Sequence, residues 1–101
     1  MSDDGRILDE LQAVIDQRSR DRPEGSYVVR ILDDGVDRIA RKIGEEAAEV
    51  IVAAKNESHE ELAGEVADLI FHLLLLLHSA GIPPASVYAE LRSRRGQTRH
   101  S

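Results

Sequence analysis

The chain has 101 residues, enough for one small domain whose stability margin is thin. It has no cysteine, which excludes disulfides, zinc–thiolate sites and thiol nucleophiles. A formal net charge of −6 argues against a nucleic-acid polymer as partner, yet leaves room for a small phosphorylated ligand bridged by a divalent cation.

Aromatics make up 3% of the chain, so its core must come from Leu, Ile, Val and Ala, which favours packed helices over a β-sandwich. In chain order, Ile7, Leu8, Leu11, Val14 and Ile15 recur at helical spacing, with Asp3 or Asp4 as N-cap and an end near Arg20. RDRPEGS (20–26) reads as a loop. A short helix is predicted over Tyr27 to Asp33, closed by Gly35, and a long one from Val36 to Lys55 with Asn56 as its cap. Ser58 and Glu61 form the S-x-x-E pattern of a capping box, which opens a second long helix running to Ala80 and stopped by Gly81. Pro83 and Pro84 suit the first turn of a last helix reaching Ser93. The expectation is one all-α domain over 1–93, with four or five helices and the two long ones antiparallel, followed by a disordered basic tail over 94–101.

At about 100° per residue, Ile39, Ile43, Ala47, Val50 and Ala54 share one face of the first long helix. Lys42, Glu45, Glu46 and Glu49 fall on a neighbouring arc. On the second, Leu62, Val66, Leu69, Ile70, Leu73 and Leu77 form the apolar face, edged by Glu61, Glu65, Asp68 and His72. If the core faces pack together, the two acidic edges meet. Glu46–Glu49 and Glu65–Asp68 are both i,i+3 pairs, spaced so that each can pinch one ion. Converging carboxylates without a counter-ion strain a domain whose whole stability is only about 5–15 kcal/mol. Oxygen-only ligands point to Mg²⁺, with Mn²⁺ as a substitute, and a Mg²⁺ held this way keeps positions open for water and phosphate oxygens. Clustered glutamates also occur on ordinary solvated helix faces, and spacing alone does not separate the two readings.

KIGEEAAEV (42–50) and EVADLIFHLLLLL (65–77), preceded by SYVVRILDDGVDRIARK (26–42), resemble phosphoribosyl-ATP pyrophosphohydrolase of histidine biosynthesis. The wider group is the all-α, MazG-like nucleotide pyrophosphohydrolases, marked by EExxE and a downstream ExxD. The resemblance spans residues 22 to 92. It implies Mg²⁺-dependent hydrolysis of phosphoribosyl-ATP to phosphoribosyl-AMP and pyrophosphate. By position, Glu46, Glu49, Glu65 and Asp68 match the family's metal ligands. Glu45 takes a supporting role, positioning or deprotonating water or holding a second ion, and Lys42 faces the phosphates. Val28 stands where the family's SYT pattern has Thr, which puts a hydroxyl contact there in doubt.

Three more residues are candidates for the substrate site. Tyr27 lines the nucleotide pocket beside Ser26, which reads equally as an N-cap; Arg38 lies within reach of a phosphate. His72 reads either as a satisfied core histidine or as a hydrogen-bonding site residue, while His59, His78 and His100 read as surface or helix-end residues. Leu73 to Leu77 are apolar around nearly the whole helix, which predicts a homodimer using the end of that helix. The tail arginines Arg94, Arg95 and Arg99 are expected in solvent. MSDDGR is followed by no signal-peptide region, and LIFHLLLLL (69–77) is too short for a bilayer, so a soluble cytoplasmic protein is expected. Competing readings are a housecleaning nucleoside triphosphate pyrophosphohydrolase, a non-catalytic helical dimerisation module, and a di-iron carboxylate protein. The last is disfavoured because such sites use Glu-x-x-His pairs.

Overall fold

The computed structural model describes residues 5–56 and 58–97, all helix and connection with no strand among them. Helix α1 (Arg6–Asp21) places Leu8, Leu11 and Ile15 against the core. Gly5 precedes it without a side-chain cap, and the expected caps Asp3 and Asp4 lie outside the described residues. The helix stops at Arg22, which takes a left-handed φ of 50°. Its N–H donates to the Arg18 carbonyl at 2.8 Å, and its guanidinium donates to Asp33 at 2.7 Å.

Ser26 opens α2 (Tyr27–Asp34): its hydroxyl oxygen accepts from the Val29 N–H at 3.3 Å, so the capping role accounts for this serine. Gly35, at φ 94°, is the single hinge between α2 and α3 (Val36–Lys55), a conformation that L side chains rarely adopt. Ser58 accepts from the Glu61 N–H at 3.2 Å and starts α4 (His59–Ala80). Gly81 ends it at φ 73°; its N–H donates to the His78 carbonyl, and the Ile82 N–H donates to that of Leu77, the paired bonds of a Schellman turn. Helix α5 (Pro84–Arg94) follows, with Pro at its first turn as expected. Helical backbone continues past Ser93 to Arg94 and then as a 3₁₀ turn over Arg95–Gln97; Arg99 and His100 lie outside the described residues.

The core joins Ile15 of α1, Val28 and Ile31 of α2, Ile39 of α3 and Leu74 and Leu75 of α4. The most extensive pairing is α3 with α4, two consecutive helices joined by three residues and therefore antiparallel. Helix α5 buries no residue and is tied to α1 by the Tyr88 hydroxyl, which donates to Asp9 at 2.9 Å.

Two expectations need correction. Ala54, expected on the apolar face of α3, is exposed, and Ala53 is buried instead. Ile70 and Leu73 were placed on the apolar face of α4, but they are 36% and 41% exposed, whereas Leu74 and Leu75 are buried. The five consecutive leucines carry no polar residue to mark an outer face, and α1 and α2 decide which side is covered. His72, assigned to the acidic edge, is buried on that same covered side.

Candidate active site

The antiparallel hairpin brings the acidic edges together. Each three-residue step forward on α3, Glu46 to Glu49, is answered by a three-residue step back on α4, Asp68 to Glu65. One carboxylate oxygen each from Glu46, Glu65 and Asp68 lies within 4.8 Å of the others. Glu49 joins the group on the α3 side, close enough to Glu65 to raise its pKa. All four positions singled out as metal ligands therefore converge.

The electrostatics of Glu65 record the crowding. Its pKa is raised, first by partial desolvation, then by the hydrogen bond with Glu49 and by the negative fields of Glu49, Glu46 and Asp68. A hard cation would relieve this. Three oxygens at the corners of a 4.8 Å triangle would stand about 2.8 Å from an ion at its centre, against about 2.1 Å for Mg²⁺–oxygen contacts. Each ligand has to move inward by roughly 0.7 Å, within the reach of a glutamate rotamer. The donor set, its charge and its spacing all fit a divalent ion of this kind.

Lys42 sits at the edge of the cluster, its Nζ 3.7 Å from one oxygen of Glu45 and 3.7 Å from one of Glu46. The two glutamates differ: the Glu46 side chain is 12% exposed, that of Glu45 55%. Glu45 thus faces Lys42 and solvent and stays outside the three-carboxylate group.

Tyr27 and His72 connect to the cluster through the backbone of Asp68. The Tyr27 hydroxyl lies 2.7 Å from His72 Nε2, and His72 Nδ1 lies 2.7 Å from the backbone carbonyl of Asp68. Phe71 closes around them, edge-on to the His72 ring at 5.4 Å between centroids. The Arg30 guanidinium stands 5.9 Å over the Tyr27 ring. Burial pushes the Tyr27 phenol up, against the opposing fields of Lys42 and Arg38. Arg38 itself is exposed on the first turns of α3. Val28, where the family pattern has Thr, is 3% exposed in the core and offers the site no surface.

Two ties escaped sequence reasoning. The Tyr27–His72 bond spans 45 residues. His78, expected only at a helix end, does end α4 but also meets Asp16 of α1 at 2.7 Å, across 62 residues. Neither pair carries a local spacing signal, because each joins elements by tertiary packing alone.

A helical bundle with an antiparallel pair of acidic helix edges and a lysine beside them has the groups that could hold a cation and an anionic ligand together. Residues 8–95 match the phosphoribosyl-ATP pyrophosphohydrolase family. The chain belongs to that family. It is 49% identical over 89 residues to the phosphoribosyl-ATP pyrophosphatase of Pelotomaculum thermopropionicum, covering 88% of this chain and 91% of that protein. With the enzyme of the same description from Sulfurisphaera tokodaii it shares 49% over 88 residues, 87% of this chain and 94% of the relative. It is also 47% identical over 91 residues to the histidine biosynthesis bifunctional protein of Bacillus subtilis, covering 90% of this chain but only 44% of that longer protein. The chain therefore spans nearly all of the first two relatives and less than half of the bifunctional one.

Proposed function

We propose that this chain hydrolyses phosphoribosyl-ATP to phosphoribosyl-AMP and pyrophosphate within histidine biosynthesis, with Mg²⁺ or Mn²⁺ held by Glu46, Glu49, Glu65 and Asp68. The observation that carries the reading is the convergence of Glu46, Glu65 and Asp68 oxygens within 4.8 Å. A bound divalent ion supplies charge neutralisation for the polyphosphate and acidifies water. The chain's own residues then divide the work. Lys42, already paired with Glu45 and Glu46, turns its ammonium to a phosphate oxygen, and Glu45, on the exposed side, orients or deprotonates water. Arg38 adds positive field at the entrance.

The working unit is a homodimer. The described surface totals 7318 Å², well above the roughly 5,700 Å² of a monomeric protein of this mass. Ile70 and Leu73, one turn apart on α4, remain exposed. Helix α4 is long and apolar enough to cross a membrane, with a mean hydropathy of 1.5 over its best window. Its His72 nevertheless finds partners inside the bundle, which supports a soluble enzyme.

Pyrophosphate release from phosphoribosyl-ATP, measured beside a panel of nucleoside triphosphates with and without Mg²⁺, tests the assignment. Preference for an ordinary triphosphate replaces it with a housecleaning function. No Mg²⁺-dependent release from any of them leaves a dimerisation module.

A further inference from the structure

A cavity of about 300 Å³ is bounded by α1, the end of α4 and the turn into α5. Gln12 and Asp16 of α1 and His78 of α4 form its polar side, and Ile82, Pro83 and Pro84 its apolar side. Helix α4 advances about 15 Å from Asp68 to His78, so this cavity stands apart from the acidic site. Asp16 Oδ1 meets Gln12 Nε2 at 3.2 Å and His78 Nδ1 at 2.7 Å, while Oδ2 has no bond among the described residues. A carboxylate oxygen accepts, so the Gln12 amide must turn its nitrogen to Asp16 and its oxygen away. That oxygen is buried without a partner among the described residues, on a side chain in the cavity wall that is only 8% exposed. A buried amide oxygen in this state costs stability until a donor reaches it.

The walls accept hydrogen bonds but have little to donate. The Gly81 and Ile82 N–H groups are spent on the turn that closes α4, at 3.1 and 2.9 Å, and Pro83 and Pro84 have no N–H. His78, the one basic side chain among the described residues lining the cavity, already faces Asp16. An anion therefore finds no unengaged backbone donor on this wall, and a hard divalent ion finds a single carboxylate. We infer that the cavity binds a small organic cation: an ammonium or amidinium group donating to Asp16 and to the Gln12 carbonyl, on an apolar body packed against Ile82, Pro83 and Pro84. Its volume suits a ligand of about ten non-hydrogen atoms. The anionic nucleotide does not match these walls, so the ligand is a different molecule, and the inference stands whatever the acidic site hydrolyses.

The test is a titration of the full chain followed by ¹H–¹⁵N correlation spectra, with three probes of equal size: benzamidine, benzamide and benzoate. Benzamidine should move the Gln12 side-chain amide and the Gly81 and Ile82 backbone signals saturably. Benzamide, which donates without a charge, should bind at least about fivefold more weakly, and benzoate should leave these signals in place. Asp16→Asn should weaken benzamidine about tenfold. Gln12→Leu, which removes the amide but keeps a side chain of similar bulk, should weaken it as well, and both variants should release pyrophosphate at the parent rate. Benzoate binding as tightly as benzamidine would overturn the inference. So would benzamidine shifts confined to the surroundings of Glu65 and Asp68, parental affinity in both variants, or no saturable shift by about 10 mM.

Discussion

Asp68→Asn separates a metal ligand from a surface carboxylate by a reversal of order. In the metal-free protein Asp68 stands within 4.8 Å of a Glu46 oxygen. At that distance two unit charges repel by about 0.9 kcal/mol in water, the value that applies to an exposed group. Asn matches Asp in size and in helix propensity, and its backbone carbonyl still accepts from His72, so the substitution removes charge and little else. The variant should melt roughly 4–7 °C above the parent in chelator, since each kcal/mol moves Tm by about 4–8 °C in a domain of this size. Saturating Mg²⁺ reverses the ranking. An ion at about a hundred times its Kd stabilises the parent by about 2.7 kcal/mol, or more than about 10 °C, and the variant far less. Differential scanning fluorimetry with and without Mg²⁺ reads both arms, and pyrophosphate release should fall at least about a hundredfold. A variant that melts below the parent in chelator, or that keeps the full Mg²⁺ shift, would falsify the converging-carboxylate argument.

Glu65 gives a pH dependence of defined sign. Its folded-state pKa is raised by desolvation and by its acidic neighbours, so the destabilisation is absent below its ordinary value of 4.5 and complete above the raised one. The metal-free protein should thus lose Tm as pH rises above 4.5, a range clear of Asp33, whose stabilising pair with Arg22 is lost only below its ordinary 3.8. A Tm that rises over this range in chelator contradicts the raised pKa, and Glu65→Gln should flatten the slope. Leu75→Ala, at a side chain with 0% exposure, should cost about 2–5 kcal/mol in urea denaturation. Leu73→Lys, at a position 41% exposed in the single chain, should leave the fold intact and shift sedimentation toward monomer. A parent chain already monomeric at micromolar concentration refutes the dimer.

Most helix boundaries were legible because their determinants are local. Ser26 and Ser58 cap where their side chains reach the N–H three residues on, and Gly35 and Gly81 take the positive φ that ends a helix. The acidic site was legible for a related reason: i,i+3 spacing is fixed by the helix, and a three-residue connection makes antiparallel pairing nearly unavoidable. Rotation of α4 was not legible from Ile70 onward. Five leucines in a row give no polar contrast, so which of them is buried depends on where α1 and α2 land. Long-range polar ties were hidden by the same dependence, as Tyr27–His72 and Asp16–His78 show.

The same packing explains why His72 matters although it sits where sequence periodicity put an acidic edge. The helix carries Glu65 and Asp68 toward α3 and, one turn later, turns His72 into the layer where α2 docks. A carboxylate there would be buried without a cation, and an alkyl group would leave the Tyr27 hydroxyl without its acceptor. Imidazole meets both demands, because one ring nitrogen bonds to the carbonyl of Asp68 and the other to the Tyr27 hydroxyl. It therefore links the helix that carries Glu65 and Asp68 to the helix that carries Tyr27. Substitutions at His72 should disturb ligand binding more than metal binding, the opposite of those at Asp68.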